Sequence, residues 1–199
     1  MRQLPFTLLL ALWFGLAACT STAPAIHHYT LGGSSAQGSI AKRPGTPLVL
    51  VHAPQLAEYL RQSYLVLQTG EHQLEFAQRH VWSQNLRSAI PARLTQALNV
   101  RDPDRVYITG DDPRAGKAGI NLQLRVRDFL PTHRSEVKLL ADYWFVNVEG
   151  ETLLSRVVDL RQPLQADGYA HAVAQMDLLL TRLAEPVAND AASLAKTRE

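Results

Sequence analysis

The chain has 199 residues, 46% of them apolar and 19% charged, with 20 Lys and Arg against 18 Asp and Glu. That composition excludes a disordered, collagenous or multi-span membrane chain, and a net charge of +2 is no nucleic-acid footprint. One cysteine excludes an intrachain disulfide and any zinc site that needs two thiolates.

Arg2 supplies a positive start, and Phe6 to Leu16 forms an apolar stretch. It is too short to cross a bilayer, which takes about 20 apolar residues. Leu16-Ala17-Ala18-Cys19 follows. Small residues there mark a signal-peptide cleavage point. A cysteine directly after Leu-Ala-Ala resembles the lipobox of bacterial lipoproteins. That resemblance implies a signal peptide over 1–18, cleavage before Cys19, and acylation of its sulfur and amino group by palmitate-type chains. Thr20, standing where an inner-membrane signal has Asp, implies the outer membrane. The alternative is a plain signal peptide with an incidental cysteine. One acyl chain is a marginal anchor, whereas two or three hold effectively permanently.

Residues 19–25 read as a small, polar, lipidated tether. Ile26 to Leu31 alternates as a first strand. His27-His28 points to opposite faces of that strand, which argues against a shared metal. Gly32 to Pro47 is a loop, and the apolar run Leu48 to Val51 is a strand covered on both faces. Pro54 to Arg61 predicts a loop with a helical turn. Tyr64 to Gln68 and Gln73 to Ala77 predict a hairpin. Ser83 reads as the N-cap of a helix reaching Leu98, striped by Leu86, Ile90, Leu94 and Leu98. Pro91 inside it predicts a kink or a later start, at a cost of about 3 kcal/mol.

Arg105 to Thr109 is a strand and Gly110 to Gly119 an exposed loop. Ile120 to Phe129 alternates, with Leu122, Leu124 and Val126 on one face and Gln123, Arg125 and Arg127 on the other. Val137 to Val148 and Glu151 to Leu160 flank a Glu149-Gly150 turn. Asp167 reads as the N-cap of a final helix striped by Tyr169, Val173, Met176, Leu180, Leu183 and Val187. Residues 189–199 read as a flexible tail. The sum is an α/β single domain, a mixed β-sheet packed with two principal helices.

Chemistry is sparse. Gly110 to Lys117 has five residues between its outer glycines and no hydroxyl after the lysine, so it is no phosphate loop. Asp111-Asp112 lacks the further oxygen ligands a calcium loop needs. The seven histidines show no His-Glu-x-x-His spacing. Arg125, Arg127 and Arg134 could form a basic face, but Asp128 and Glu136 interrupt it and a solvated sheet face fits better. The reading is non-enzymatic, with no cofactor, metal or nucleic acid. Tyr143-Trp144-Phe145 must divide between two faces of one strand. Tyr59, Leu60 and Trp82 stand in odd places for apolar side chains. They form a candidate partner interface, and for Tyr59 and Trp82 the alternative is capping of the core under the first helix.

The order of these pieces resembles the PqiC-like auxiliary lipoproteins of ABC-type and MCE-type intermembrane transport. It runs from Cys19 through Tyr29-Thr30-Leu31 and Leu48 to Val51, then Pro54 with Tyr59-Leu60. Thr69 before a hairpin, Trp82 with Leu86, and Asp167-Gly168-Tyr169 follow. The sequence departs at His52-Ala53-Pro54 and at Val81-Trp82, where the family commonly has an apolar residue before its proline step and Arg-Trp. The resemblance implies an auxiliary domain over 26–188 that docks an MCE-domain transport protein at the outer membrane and supports envelope integrity. It implies lipid transport without catalysis, and a ring of copies is possible. The alternative is an assembly factor for another envelope machine.

Overall fold

The computed structural model describes residues 24–32 and 45–196. Cys19, the signal segment, most of the tether, loop residues 33–44 and residues 197–199 lie outside the described residues. In chain order the strands are β1 (His27–Tyr29), β2 (Leu48–Val51), β3 (Gln55–Leu56), β4 (Tyr64–Gly70) and β5 (Gln73–Trp82). After helix α1 (Leu86–Arg101) come β6 (Val106–Thr109), β7 (Ile120–Thr132), β8 (Glu136–Asn147) and β9 (Thr152–Pro163), then helix α2 (Tyr169–Lys196). Short 3₁₀ turns occupy Glu58–Arg61 and Ala115–Lys117.

The α/β domain with a mixed sheet and two principal helices is as expected. The larger sheet runs β6-β2-β7-β8-β9, with β3 also pairing to β7. A second, smaller sheet runs β1-β5-β4. β2 is parallel to both its neighbours, which is why its four residues are apolar throughout. β7, β8 and β9 form an antiparallel meander.

The core follows from alternation. Leu122, Leu124 and Val126 of β7 lie opposite Phe145, Tyr143 and Ala141 of β8, and all six are buried against the helices. Tyr143 and Phe145 meet edge to face at 6.1 Å, while Trp144 turns to the opposite face. Arg127 is the extra residue of a β-bulge between Val126 and Asp128, beyond which Phe129 turns into the core.

Both helix starts differ from the sequence expectation. Asn85, not Ser83, caps α1: its Oδ1 accepts the Ser88 N–H at 3.0 Å. The Ser83 N–H instead donates to Tyr29 O, so strand pairing claims that residue. Pro91 neither delays nor ends α1, and its ring is buried beside Ile90 and Leu94. At α2 the first carbonyl is that of Gly168, which accepts from Ala172 N–H, rather than that of Asp167.

The open end of β6 is closed from within. Asn99 of α1 accepts from Tyr107 N–H at 2.9 Å and donates to Tyr107 O at 2.8 Å. Its side-chain amide thereby takes the place of a neighbouring strand.

The largest correction concerns the tail. α2 continues to Lys196, so residues 189–196 are helical rather than frayed. Asp190 is 7% exposed, accepts the Tyr143 hydroxyl at 2.6 Å and pairs with Arg156 at 2.7 Å, while Ala191 is buried behind it. These partners lie far back along the chain, where no local pattern announces them. Asp190→Ala strands a buried hydroxyl and a guanidinium, so we expect a stability loss of about 3 kcal/mol. Asn189→Ala, at an exposed position, should stay within about 0.5 kcal/mol. Urea unfolding midpoints check the contrast, and equal midpoints would contradict the docked tail.

Candidate functional site

The sequence-predicted interface residues do not gather on the surface. Leu60 and Trp82 are 3% and 7% exposed and belong to the core, so neither offers area to a partner. Trp82 ends β5 with its N–H on Ser63 O at 2.8 Å. The core-capping alternative, weighed for Tyr59 and Trp82, describes Trp82, and Leu60 is buried in the same core. Tyr59 is half-buried and has a different task. Its hydroxyl lies 2.6 Å from Asp128 Oδ1 and 2.8 Å from the Arg127 carbonyl, the carbonyl of the bulge residue. Lys138 donates to the other Asp128 oxygen at 2.7 Å. Burial, together with the hydrogen bond and charge of Asp128, pushes the Tyr59 hydroxyl well above its ordinary pKa. Burial pushes the Asp128 carboxyl up, but bonds from Lys138 and Tyr59 with the Lys138 and Arg127 charges outweigh it and hold the group low. The Tyr59 hydroxyl thus stays protonated and the Asp128 carboxyl ionised across the neutral range.

The site that emerges instead is the fastening of β1, the first strand after the tether. β1 runs parallel to β5 with His27, His28 and Tyr29 opposite His80, Val81 and Trp82. The His80 ring stacks on Tyr169 of α2 at 3.6 Å and on His27 at 5.1 Å, and the Tyr29 hydroxyl lies 2.8 Å from His80 Nδ1. The Gly32 N–H then donates to Asp177 of α2 at 2.8 Å. A three-residue strand is therefore tied to β5, to Ser83 ahead of α1, and to α2. Sequence reasoning placed Tyr169 in the stripe of the final helix but missed His80 and the stack between them, because stacking between residues so far apart leaves no periodic signal.

Two faces of the sheets carry apolar or aromatic side chains toward solvent. On the β4–β5 hairpin, Tyr64, Leu74 and Phe76 are exposed large hydrophobics, with Val66 opposite Phe76. Alternating Leu74 and Phe76 was the available signal, though alternation does not say which face is wet. On the larger sheet, Trp144 faces outward under the Arg125 guanidinium at 5.8 Å, with its N–H on Gln123 at 3.1 Å. Arg127 there pairs with Asp142 in two bonds, so that basic face is largely neutralised. A polar depression of about 150 Å³ beside Thr132, His133 and Arg134 includes Lys138 and Arg161, which already hold Asp128 and Glu136. Among the described residues no helix is long and apolar enough to cross a membrane.

Residues 29–188 match the model of a family described as the ABC-type transport auxiliary lipoprotein component. No curated protein matches the chain in sequence. Among solved structures it is similar to an uncharacterized protein at 18% identity and TM-score 0.70, covering 84% of this chain and 99% of that one. A Xanthomonas campestris protein of the family DUF330 is similar at 13% identity and TM-score 0.66, covering 88% and 98%. These likenesses concern the fold. A PelC dodecamer from Paraburkholderia phytofirmans aligns at 10% identity and TM-score 0.41, over 75% of this chain and 93% of that one.

The stacked rings give the β1 fastening a pH dependence. Burial lowers the His80 pKa below 6.5, and the neighbouring His27 and Arg79 charges act in the same direction. A group whose folded pKa is lowered gives stability that is complete above its unfolded value and drains as pH falls through the folded one. The loss therefore begins below about pH 6.5. His80→Phe keeps a ring against Tyr169 and removes the titration. Between pH 7.5 and 5.0 the wild-type urea midpoint should fall further than that of His80→Phe, and parallel pH profiles would refute the assignment.

Proposed function

The chain belongs to the family of ABC-type transport auxiliary lipoprotein components, and on that premise we propose that it serves an MCE/ABC-type intermembrane lipid transport system as its outer-membrane lipoprotein. The observation that carries the reading is that the family match begins inside β1, directly downstream of the lipobox cysteine. Acyl chains on Cys19 hold the domain at the periplasmic leaflet. The eight residues from Cys19 to His27 span at most about 29 Å, so β1 stays close to the lipid surface. Any pull on the anchor reaches the body through β1 and its partners on β5, at Ser83 and on α2. The protein acts by binding, without catalysis or a cofactor. It docks the periplasmic MCE-domain assembly through an exposed apolar surface, for which Tyr64, Leu74 and Phe76 are the residues that support the reading. Copies tethered to one membrane raise one another's effective concentration, which favours multivalent docking and a ring.

Crosslinking and affinity recovery from membranes test this, comparing wild type with Leu74→Ser/Phe76→Ser, Cys19 intact and folding verified by circular dichroism. An MCE-domain protein should be recovered with wild type and fall about tenfold with the variant, the loss of two apolar contacts. Equal recovery would move the docking face elsewhere. Absence of any MCE-domain protein would overturn the reading in favour of an assembly factor for another envelope machine. In a parallel experiment, Cys19→Ser should abolish fatty-acid labelling and release the chain from the membrane fraction; retention would contradict the anchor.

A further inference from the structure

The two ends of the larger sheet are finished differently. β6 is short and Asn99 occupies its outward backbone groups. β9 is twelve residues long and has no strand beyond it among the described residues. Two bonds fix which of its backbone groups look outward. Leu164 N–H donates inward to Ser135 O at 2.8 Å, so the even positions face β8. Arg182 of α2 reaches over the edge to Arg161 O at 2.9 Å, so the odd positions face out. At Ser155, Val157 and Asp159, the outward N–H and C=O groups have no partner among the described residues. All three residues are exposed, with Val157 at 60%. A long edge with an apolar centre is a template for another strand.

We propose that this edge pairs with β9 of a second copy, antiparallel, about a two-fold axis at Val157. The side chains select both partner and register. Centred on Val157, the pairing sets Val157 against Val157, Ser155 against Asp159 and Arg156 against Val158. Centred on Asp159 or on Arg156, it would set like charges face to face, which is unfavourable for cross-strand neighbours. Centred on Val158, it would call on Arg161 O, which Arg182 already holds. The Arg156 charge needs no partner across the axis because Asp190 neutralises it within its own copy. The contact is therefore self-complementary, as a two-fold interface requires. It extends the sheet without using the β4–β5 hairpin, and it does not rest on the transport reading.

Single cysteines test the register on the full chain in its membrane, with wild type as the background for Cys19. Directly opposed residues that exchange both backbone bonds have Cα atoms about 5.5 Å apart, within disulfide range. Val157→Cys should crosslink to itself under mild oxidation, about tenfold more than Ser155→Cys or Asp159→Cys, whose symmetry mates lie too far apart. Co-expressed Ser155→Cys and Asp159→Cys chains should crosslink to each other. All three positions are exposed, so the fold should tolerate the substitutions, which circular dichroism checks. Val157→Cys remaining monomeric, crosslinking only to a different protein, or crosslinking no more than its neighbours would each overturn the proposal.

Discussion

The Asp177 carboxylate on α2 accepts two bonds from Arg93 of α1, at 2.7 and 3.0 Å, and a third from the Gly32 N–H at 2.8 Å. Arg93 also reaches Thr181 one turn further along. Both partners are largely buried, at 13% and 25% side-chain exposure, so removing either leaves the other poorly solvated, at a cost on the order of 3 kcal/mol. Gly32 can make this bond because its φ is +89°, a conformation that costs glycine nothing and other residues much. A Cβ there would meet Arg93 Cδ at 3.4 Å. One acidic side chain thus fixes the helix pair and the segment leaving β1.

The described residues around β1 depend on that junction. Three residues cannot form a stable strand on a ladder alone. β1 persists because its ladder to β5 is supplemented by the ring stack through His80, the Ser83 bond and the Gly32 bond. The consequence for a lipidated chain is mechanical. On the proposed anchor, load would pass into residues 27–32, which pair with β5 and bond to one of the helices that cover the sheet. The exposed hairpin side chains and the free β9 edge would, on that anchor, be held at a bounded distance from the lipid.

What the sequence made legible is what repeats locally. The 3.6-residue stripe of Tyr169, Val173, Met176, Leu180 and Leu183, and the alternation of Leu122, Leu124 and Val126, report burial because neighbours along one element share an environment. What escaped depends on partners distant in sequence. Ser83 and Asn85 are both good caps, and only the Tyr29 carbonyl decides between them by taking the Ser83 N–H. Residues 189–196 look like a tail until Tyr143 and Arg156 supply the partners of Asp190. Tyr59 and Trp82 look like interface aromatics until the β7 bulge claims one and the core the other. The family resemblance, by contrast, was readable because it rested on the order of several weak signals and not on any one contact.

Asp177 fastens the tether-proximal strand to the helices. Amide hydrogen exchange on the wild type and on Asp177→Ala measures it directly. The expected result is that amides of residues 27–32 exchange about tenfold faster in the variant while those of β7 and β8 keep their protection, since local opening and global unfolding are separable. Unchanged protection at 27–32, or an equal loss across β7 and β8, would contradict it.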